Sequence, residues 1–222
     1  MKFADAEAEI RSRFAEAAAI INHLRSIAPP VPSPVDDMQK SLRALCLVSI
    51  YAAFERGVNA VVEAALGELT QQGIRSVDYI PSMHSVVHYS RLQSVKDSGS
   101  NRMMDVSCAL FEASFSENVV EIVDNPFAEK LQNVDGGTLV WISQIFGFTG
   151  FAVAQPNHGR LGTLRERRNA VAHGREAGSR VGERYNVDEL GRVYEAADQE
   201  LTRFLLTMQE HCDNRRYVRN VA

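Results

Sequence analysis

The amino-acid sequence predicts an all-α protein, a helical bundle with an irregular or helical insertion in the middle. Apolar residues recur every three or four positions over long segments, and no convincing run of alternating apolar and polar residues indicates strands. The 222 residues are 45% hydrophobic and 23% charged, a composition that can bury a full core. We therefore expect one domain over residues 1–222, with residues 70–132 as the insertion and residues 214–222 as a basic, frayed tail.

Two long helices are predicted in the N-terminal third. Residues 3–28 carry apolar residues at helical spacing with charged residues between them. Four prolines between residues 29 and 34 end this helix, because a proline disfavours helical backbone in the residue before it. Residues 36–69 open with two aspartates and contain no proline, so they are predicted to form the longest helix. Its uncharged part, residues 44–54, indicates neighbours on most sides.

A column of polar side chains follows this second helix at intervals of four, namely Tyr51, Glu55, Asn59 and Glu63. One interpretation is that the column is the solvent-exposed face of the helix. The other is that Glu55 supplies the carboxylate that a buried arginine elsewhere in the chain requires.

The insertion is less regular. Glycines and prolines divide residues 70–132 into short segments, which predicts two or three short helices with irregular connections. His84 and His88 have the i, i+4 spacing of a metal-binding pair, but no third ligand is suggested nearby. We interpret them as ordinary surface or core histidines, and we predict neither a metal site nor a cofactor.

A helix is predicted next, over residues 134–147, with one buried side. That side consists of Leu139, Trp141, Ile142, Ile145 and Phe146. Glycines and a proline between residues 147 and 159 then indicate a loop.

The C-terminal part is predicted to contain one more long helix. Residues 174–187 are rich in glycine and arginine, and we expect an exposed, mobile loop there. The last helix is predicted to start near Asp188 as its N-cap, and its apolar stripe runs from Leu190 to Met208.

The compartment can also be predicted. The first residues mix acids and arginines with no apolar segment behind them, so no secretory signal is indicated. The uncharged residues 136–159 include too many polar residues and glycines for a bilayer span. Cys46, Cys108 and Cys212 are far apart and odd in number, which favours reduced, partly buried thiols. We expect a cytoplasmic protein.

The stretch RLGTLRERRNAVAHGR, residues 160–175, has the character of a site. Leu161, Leu164 and Val171 form one apolar stripe on a helix, and Arg168 falls on the same stripe. The arginine is therefore predicted to point inward. A buried guanidinium requires a carboxylate partner or an anionic ligand in a cleft.

Two further polar residues lie on the neighbouring face of that helix. Asn169 and His173 are four residues apart, so an amide could orient an imidazole there. Gly174 offers a helix stop directly behind the histidine.

Positive charge is concentrated around this stretch. The chain carries a net charge of −4, yet residues 160–184 include seven arginines and three glutamates. This local excess suits an anionic ligand, and arginine suits bidentate contacts with phosphate or carboxylate. A solvated run of surface charges explains the same composition.

The pattern Arg-Asn-x-x-Ala-His-Gly near a helix end resembles the HEPN superfamily, whose members carry an Arg-x4–6-His motif. The spacing of an arginine and a histidine alone is not specific, and the resemblance rests on the full pattern. It is strongest over residues 161–174 and extends more weakly to YAAFE, residues 51–55, and NVDGGTLVWISQIFGF, residues 133–148.

What the resemblance implies is a helical bundle of HEPN type that acts as a dimeric, metal-independent endoribonuclease, often in toxin–antitoxin or antiviral systems, with motifs of two protomers facing one cleft. Arg168, Asn169 and His173 take the motif positions. A cognate antitoxin would then be a partner besides RNA. Some toxins of the family carry a modifiable tyrosine two residues after the histidine, and Arg175 stands there instead.

The residue types agree with RNA cleavage. An imidazole changes its charge near neutral pH, and a fixed guanidinium can stabilise a pentacoordinate phosphate. The residues predicted to contact the RNA backbone are Arg160, Arg165, Arg167 and Arg175. Two alternatives remain. Arg168 and His173 could merely pair and cap within the bundle, or the chain could be a non-catalytic helical module that binds nucleotide, RNA or protein through the same basic cleft.

Overall fold

Helices make up the structure, a computed structural model that describes residues 2–29, 34–148 and 150–219. About 72% is helical, and the described residues contain no strand, so the predicted all-α class is confirmed. The helices are α1 (Phe3–Ser26), α2 (Asp37–Gln71), α3 (His84–Val87), α4 (Tyr89–Asp97), α5 (Met103–Ser114), α6 (Gly136–Phe146), α7 (Gln155–Ala172), α8 (Gly178–Gly182) and α9 (Val187–Asp213).

Helix α2 is the centre of the bundle, and α1, α7, α8 and α9 pack around it. Its N-terminus is fixed by Asp36, whose carboxylate accepts a hydrogen bond of 2.7 Å from the Gln39 amide. Both long N-terminal helices lie where the sequence predicts them. The linker prolines Pro30 and Pro32 lie outside the described residues.

By length and composition alone, α2 could cross a membrane, but 61% of its most apolar window is buried inside the protein. Burial of this kind is characteristic of the core helix of a bundle, since the apolar side chains are already covered by neighbouring helices. Tyr51 is fully buried, so the interpretation of the polar column as a solvent face is wrong at that position.

The insertion contains the short helices α3, α4 and α5, as predicted. His84 and His88 stack at 5.8 Å between ring centroids, and His88 Nε2 lies 2.7 Å from the hydroxyl of Ser76. In the described parts of the chain, no group of three or more histidine, cysteine or acidic side chains could hold a metal ion. Cys46 and Cys212 are buried thiols, whereas Cys108 is exposed on α5.

The segment after His173 differs from the predicted mobile loop. It folds into α8, whose Val181 is fully buried and whose Gly182 lies against α2. A Cβ atom at position 182 would stand 1.7 Å from the Lys40 carbonyl oxygen, so only glycine permits this approach. Such a contact between segments 142 residues apart leaves no local signal in sequence.

The last helix and the tail also depart from prediction. Asn186, not Asp188, is the N-cap of α9, because its side chain accepts a hydrogen bond from the Glu189 amide at 2.9 Å. The described tail is anchored and not frayed: Tyr217 is fully buried and its hydroxyl donates to Gln72 at 2.8 Å. Residues 220–222 lie outside the described chain.

Candidate functional site

Helix α7 positions the motif, and it begins earlier than predicted. Pro156 and Gly159 lie inside its first turns and not in a loop. Pro156 is tolerated there because the first N–H groups of a helix have no hydrogen-bond partner within the helix. The helix ends at Ala172, with His173 as its C-cap. Gly174 follows with φ of +65°, the left-handed conformation that ends helices, so the predicted stop is present. Before α7, α6 buries Leu139, Ile142 and Phe146 of its predicted side, whereas Ile145 is partly buried and Trp141 is 36% exposed.

Arg168 points inward against α2. Its Nη2 donates to Glu55 Oε2 at 3.0 Å, and its Nη1 donates to Asn169 Oδ1 at 2.8 Å. The guanidinium carbon also lies 4.6 Å from the centroid of the Tyr51 ring, within the range of a cation–π interaction. The side chains of Arg168 and Glu55 are 24% and 19% exposed, so one edge of the pair still meets solvent.

Burial sets the electrostatics of this pair. It raises the pKa of the Glu55 carboxyl, and the charge of Arg168 opposes that rise without cancelling it. Burial also raises the pKa of the Tyr51 hydroxyl, which therefore stays protonated and neutral beside the pair. Arg168 is thus held by a single carboxylate whose pKa burial raises above its ordinary value.

Asn169 does not orient the His173 imidazole as predicted. Its Oδ1 accepts from Arg168, and its Nδ2 donates to Asn133 Oδ1 at 3.2 Å. The amide therefore links the motif arginine to the segment before α6. His173 is exposed at the end of α7.

Helical geometry separates the arginine and the histidine. A difference of five positions corresponds to roughly 140° around the helix axis. Arg168 accordingly faces α2, while His173 projects from the exposed end of α7. The two side chains of one protomer do not converge on one point.

An open cavity of about 560 Å³ lies beside Arg168. Its lining consists of Arg13, Ala52, Glu55, Arg56, Asn59, Leu131, Gln132 and Arg168. Sequence reasoning missed Arg13 and Arg56. Arg13 lies in the middle of α1 and Arg56 in the middle of α2, where the two helices pack together. Each is more than 100 residues from Arg168 in sequence, so their proximity to it leaves no pattern in the sequence.

Comparison with protein families decides the membership of the chain. The profile of the family described as RiboL-PSP-HEPN matches residues 8–199, which is most of the sequence. The chain belongs to the RiboL-PSP-HEPN family. Comparison with curated proteins gives no match, and comparison with solved structures gives none. The HEPN superfamily includes ribonucleases, so membership points to a function related to RNA or nucleotides.

The matched region of this HEPN protein includes every element that lines the Arg168 cavity, from Arg13 on α1 to Arg168 on α7. It also includes His173 and the insertion helices. The predicted membership of the HEPN superfamily is confirmed.

The arginines of the HEPN motif helix fall into two groups. Arg165 forms an ion pair with Asp135, and Arg167 contacts Glu176 at 3.4 Å, so each has a carboxylate neighbour. Arg160 instead contacts the neutral side chain of Asn157 at 3.4 Å, and Arg175 is exposed.

Arg160 also borders a second cavity, of about 420 Å³, between the first turns of α7 and α9. Arg192, Tyr185 and Glu189 line it as well. The Glu189 carboxylate already accepts a hydrogen bond of 2.6 Å from the Asn186 amide. The cavity therefore presents two arginines next to a carboxylate that is engaged in helix capping.

Proposed function

We propose that this HEPN protein is a metal-independent endoribonuclease of the cytoplasm, with a site built from Arg168, Asn169 and His173 of two chains. The observation that carries the proposal is the position of Arg168. Its guanidinium lies at the wall of an open cavity, on the same helix whose exposed end carries His173. A toxin or defence effector, held in check by a cognate antitoxin, is the biological role that we infer for such an enzyme.

The chemistry requires only side-chain groups. A base removes the proton of a ribose 2′-hydroxyl, whose oxygen then attacks the adjacent phosphorus. The bond to the 5′-oxygen breaks, and an acid protonates that leaving oxygen. The products are a 2′,3′-cyclic phosphate and a 5′-hydroxyl. We assign the acid and base roles to His173, because imidazole exchanges protons near neutral pH.

Arg168 would stabilise the phosphate while its charge increases. A guanidinium that is already ordered can donate two hydrogen bonds to phosphate oxygens without reorganising. Its order comes from Glu55 and Tyr51, and Nη1 can pass from Asn169 Oδ1 to a phosphate oxygen. Asn169 would then be free to contact the substrate.

A second copy of the chain is part of the proposal for a geometric reason. Arg168 and His173 of one protomer face directions roughly 140° apart, so they serve one phosphate poorly. Two α7 helices that meet at an interface would present two histidines and two arginines to one cleft. The histidines of the two chains could then divide the acid and base roles.

The RNA backbone would be held by the arginines of the motif region. Among the predicted contacts, Arg160 and Arg175 are the stronger candidates, because Arg165 and Arg167 are partly neutralised by Asp135 and Glu176. Phosphate contacts of this kind make binding weaken as salt rises.

The test is cleavage of RNA by the purified full chain in EDTA. We expect products with 2′,3′-cyclic phosphate and 5′-hydroxyl ends, and loss of cleavage in His173→Ala and in Arg168→Lys. Lysine keeps the positive charge but lacks the planar guanidinium that can donate two parallel hydrogen bonds to a phosphate. His23→Ala is the matched control, since His23 is an exposed histidine on α1. Cleavage that survives in both site variants with an intact helical circular dichroism spectrum would refute the assignment.

One observation favours a second candidate function, a non-catalytic module that binds nucleotide, RNA or protein. Arg168 is engaged by Glu55, which a ligand would have to displace or share. In that case the full chain binds RNA oligonucleotides without turnover. Arg168→Lys then weakens binding, whereas His173→Ala leaves it nearly unchanged.

A further inference from the structure

Trp141 is the most exposed side chain of the predicted buried side of α6. Its ring stays 36% exposed although it packs edge-to-face on the ring of Phe127, with 5.7 Å between the centroids. The Lys130 ammonium lies 6.0 Å from the centroid of the indole, at the outer limit of a cation–π interaction. Tryptophan is enriched where proteins contact a partner, so the open part of this ring is a candidate contact surface.

An open cavity of about 470 Å³ lies beside the indole, between α6, α7 and residues 129–135. We call it the α6 cavity. Ligand cavities in proteins have volumes of this order. Gly137 lies four residues before Trp141 on the same helix, is exposed and lines the cavity too. Because helical side chains lean toward the N-terminus, the missing side chain at position 137 leaves space next to the indole for a flat ring.

The α6 cavity is formally neutral, because its charged side chains balance. Lys130 and Arg165 supply the positive charges, and Glu129 and Asp135 supply the negative ones. Arg165 and Asp135 are already paired with each other. The Arg168 cavity differs, since three arginines and one carboxylate line it. A phosphate favours the arginine-rich cavity, whereas an uncharged aromatic ring needs no excess of positive charge.

The α6 cavity and the Arg168 cavity are neighbours. The turn Lys130–Gln132 forms part of the wall of both. Asn133, directly after this turn, lines the α6 cavity and accepts a hydrogen bond of 3.2 Å from Asn169 of the motif. A phosphate in the Arg168 cavity would therefore have the next nucleotide of its chain within reach of the α6 cavity.

Helix α7 connects the α6 cavity with His173. Arg165, Asn169 and His173 follow one another at intervals of four, so their Cα atoms form one line along the helix. Arg165 lines the cavity, and His173 stands roughly 12 Å further along the helix axis. A short single strand that follows this line leads from the cavity to the motif histidine.

We propose that the α6 cavity binds one nucleobase of the RNA, stacked on Trp141, and so positions the strand for cleavage at His173. The inference rests on the proposed function, because it takes RNA as the ligand. Every base presents a π face, so stacking on an indole holds bases of any sequence. Asn133 and Glu129, both exposed at the cavity, can hydrogen-bond to the edge of the stacked base.

The first test uses the fluorescence of Trp141, the only tryptophan of the chain. A mixed-sequence single-stranded RNA is added to the full-length His173→Ala chain, in which the proposed cleavage is blocked. We expect the fluorescence to fall as the RNA binds, with the same Kd that the anisotropy of a labelled RNA gives. An abasic oligonucleotide of equal length carries the phosphates without the bases, so it should leave the fluorescence unchanged. RNA binding with unchanged tryptophan fluorescence, or equal quenching by the abasic strand, would overturn the proposal.

The second test compares the RNA affinities of variants at position 141. Loss of one stacked base weakens binding about tenfold, so we expect this increase in Kd for Trp141→Leu. Trp141→Phe keeps an aromatic face and should weaken binding less. Phe111→Leu is the matched control, since Phe111 is a 63% exposed aromatic residue on α5, and its Kd should not change. Circular dichroism verifies the fold of each variant. Equal affinities of the folded Trp141→Leu variant and the wild type would contradict the stacking.

Cleavage measurements separate this inference from the ribonuclease proposal. In an active enzyme, Trp141→Leu should raise KM more than it lowers kcat, because the stack holds the substrate both before and during cleavage. Quenching by RNA without any cleavage by the wild type would refute the ribonuclease and keep the base site. Cleavage by Trp141→Leu with the KM of the wild type would refute the base site alone. A chain that binds no RNA would refute both.

Discussion

Arg168 of α7 and Glu55 of α2 form an ion pair of 3.0 Å across the wall of an open cavity, although 113 residues separate them in sequence. The pair fixes α7 on the central helix and holds the motif guanidinium at the cavity wall. In the ribonuclease that we propose, a phosphate in this cavity would share Arg168 with Glu55. Because Glu55 lines the same cavity, replacing it would change how Arg168 meets a ligand there.

The first prediction concerns the strength of this pair. We expect Arg168→Ala, Glu55→Gln and the double variant to show a coupling free energy of about 1–3 kcal/mol in a double-mutant cycle. The reason is that both side chains are largely buried, so either change leaves a desolvated polar partner. Urea unfolding followed by circular dichroism measures it.

The exposed pair Arg216–Glu210 on the C-terminal side supplies the control for this cycle. Its side chains are 56% and 60% exposed, and we expect a coupling of at most about 1 kcal/mol. Equal coupling in the two cycles would mean that burial adds nothing to the Arg168–Glu55 pair.

The second prediction concerns the pH dependence of stability. His211 is 1% exposed between the rings of Phe148 and Tyr217, and burial lowers its pKa below 6.5. Below about pH 6.5, the His211 imidazole is protonated in the unfolded chain but stays neutral in the folded chain until a lower pH. The free energy of unfolding therefore falls as pH drops below about 6.5. Each pH unit between the folded and unfolded pKa values is worth about 1.4 kcal/mol.

We expect His211→Phe to lose less stability than the wild type between pH 7 and pH 5, because phenylalanine fills the same aromatic contact without titrating. Thermal unfolding at the two pH values measures the difference. The exposed His23→Phe variant controls for the general effect of replacing an imidazole. A parallel loss of stability in the wild type and in His211→Phe would show that His211 does not contribute to acid sensitivity.

Local chemistry made much of this fold predictable. The two long N-terminal helices follow from apolar spacing and prolines, and the end of α7 follows from Gly174 with its positive φ. The inward direction of Arg168 follows from its place on the stripe of Leu161, Leu164 and Val171. Each of these features depends on residues within a few positions of one another.

Features that depend on distant segments could not be predicted. The segment around Val181 and Gly182 looks like a loop in the sequence, but it forms helix α8 because it packs against α2. Only glycine at position 182 allows this close approach. The Asn169 side chain hydrogen-bonds to Asn133 and not, as predicted, to His173. Tyr217 is buried, and its hydroxyl donates to Gln72. In each case the partner lies 36 or more residues away, so the choice between two local conformations is made by packing.

The third prediction separates the arginines of the motif helix. We expect Arg160→Ala to weaken binding of single-stranded RNA and to reduce the slope of log K against log salt by about 0.7, the value for one lost phosphate contact. Arg165→Ala is the matched comparison on the same helix, and its effect should be smaller because Asp135 already neutralises Arg165. Fluorescence anisotropy at several salt concentrations measures both. Equal slopes for Arg160→Ala and the wild type would exclude Arg160 from the RNA path.

The last prediction concerns the division of acid and base between two chains. Wild-type and His173→Ala chains, co-expressed at known ratios, form mixed pairs that contain one imidazole. If one cleft needs both, an equal mixture retains about one quarter of the activity of the pure wild type, because only pairs of two wild-type chains cut. If each chain cut RNA on its own, the equal mixture would retain about one half of the activity. Wild-type protein diluted twofold with buffer is the control for that value. Cleavage of a labelled RNA measures the ratio. A value near one half for the mixture would assign the complete reaction to the side chains of one chain and remove the reason for a shared cleft.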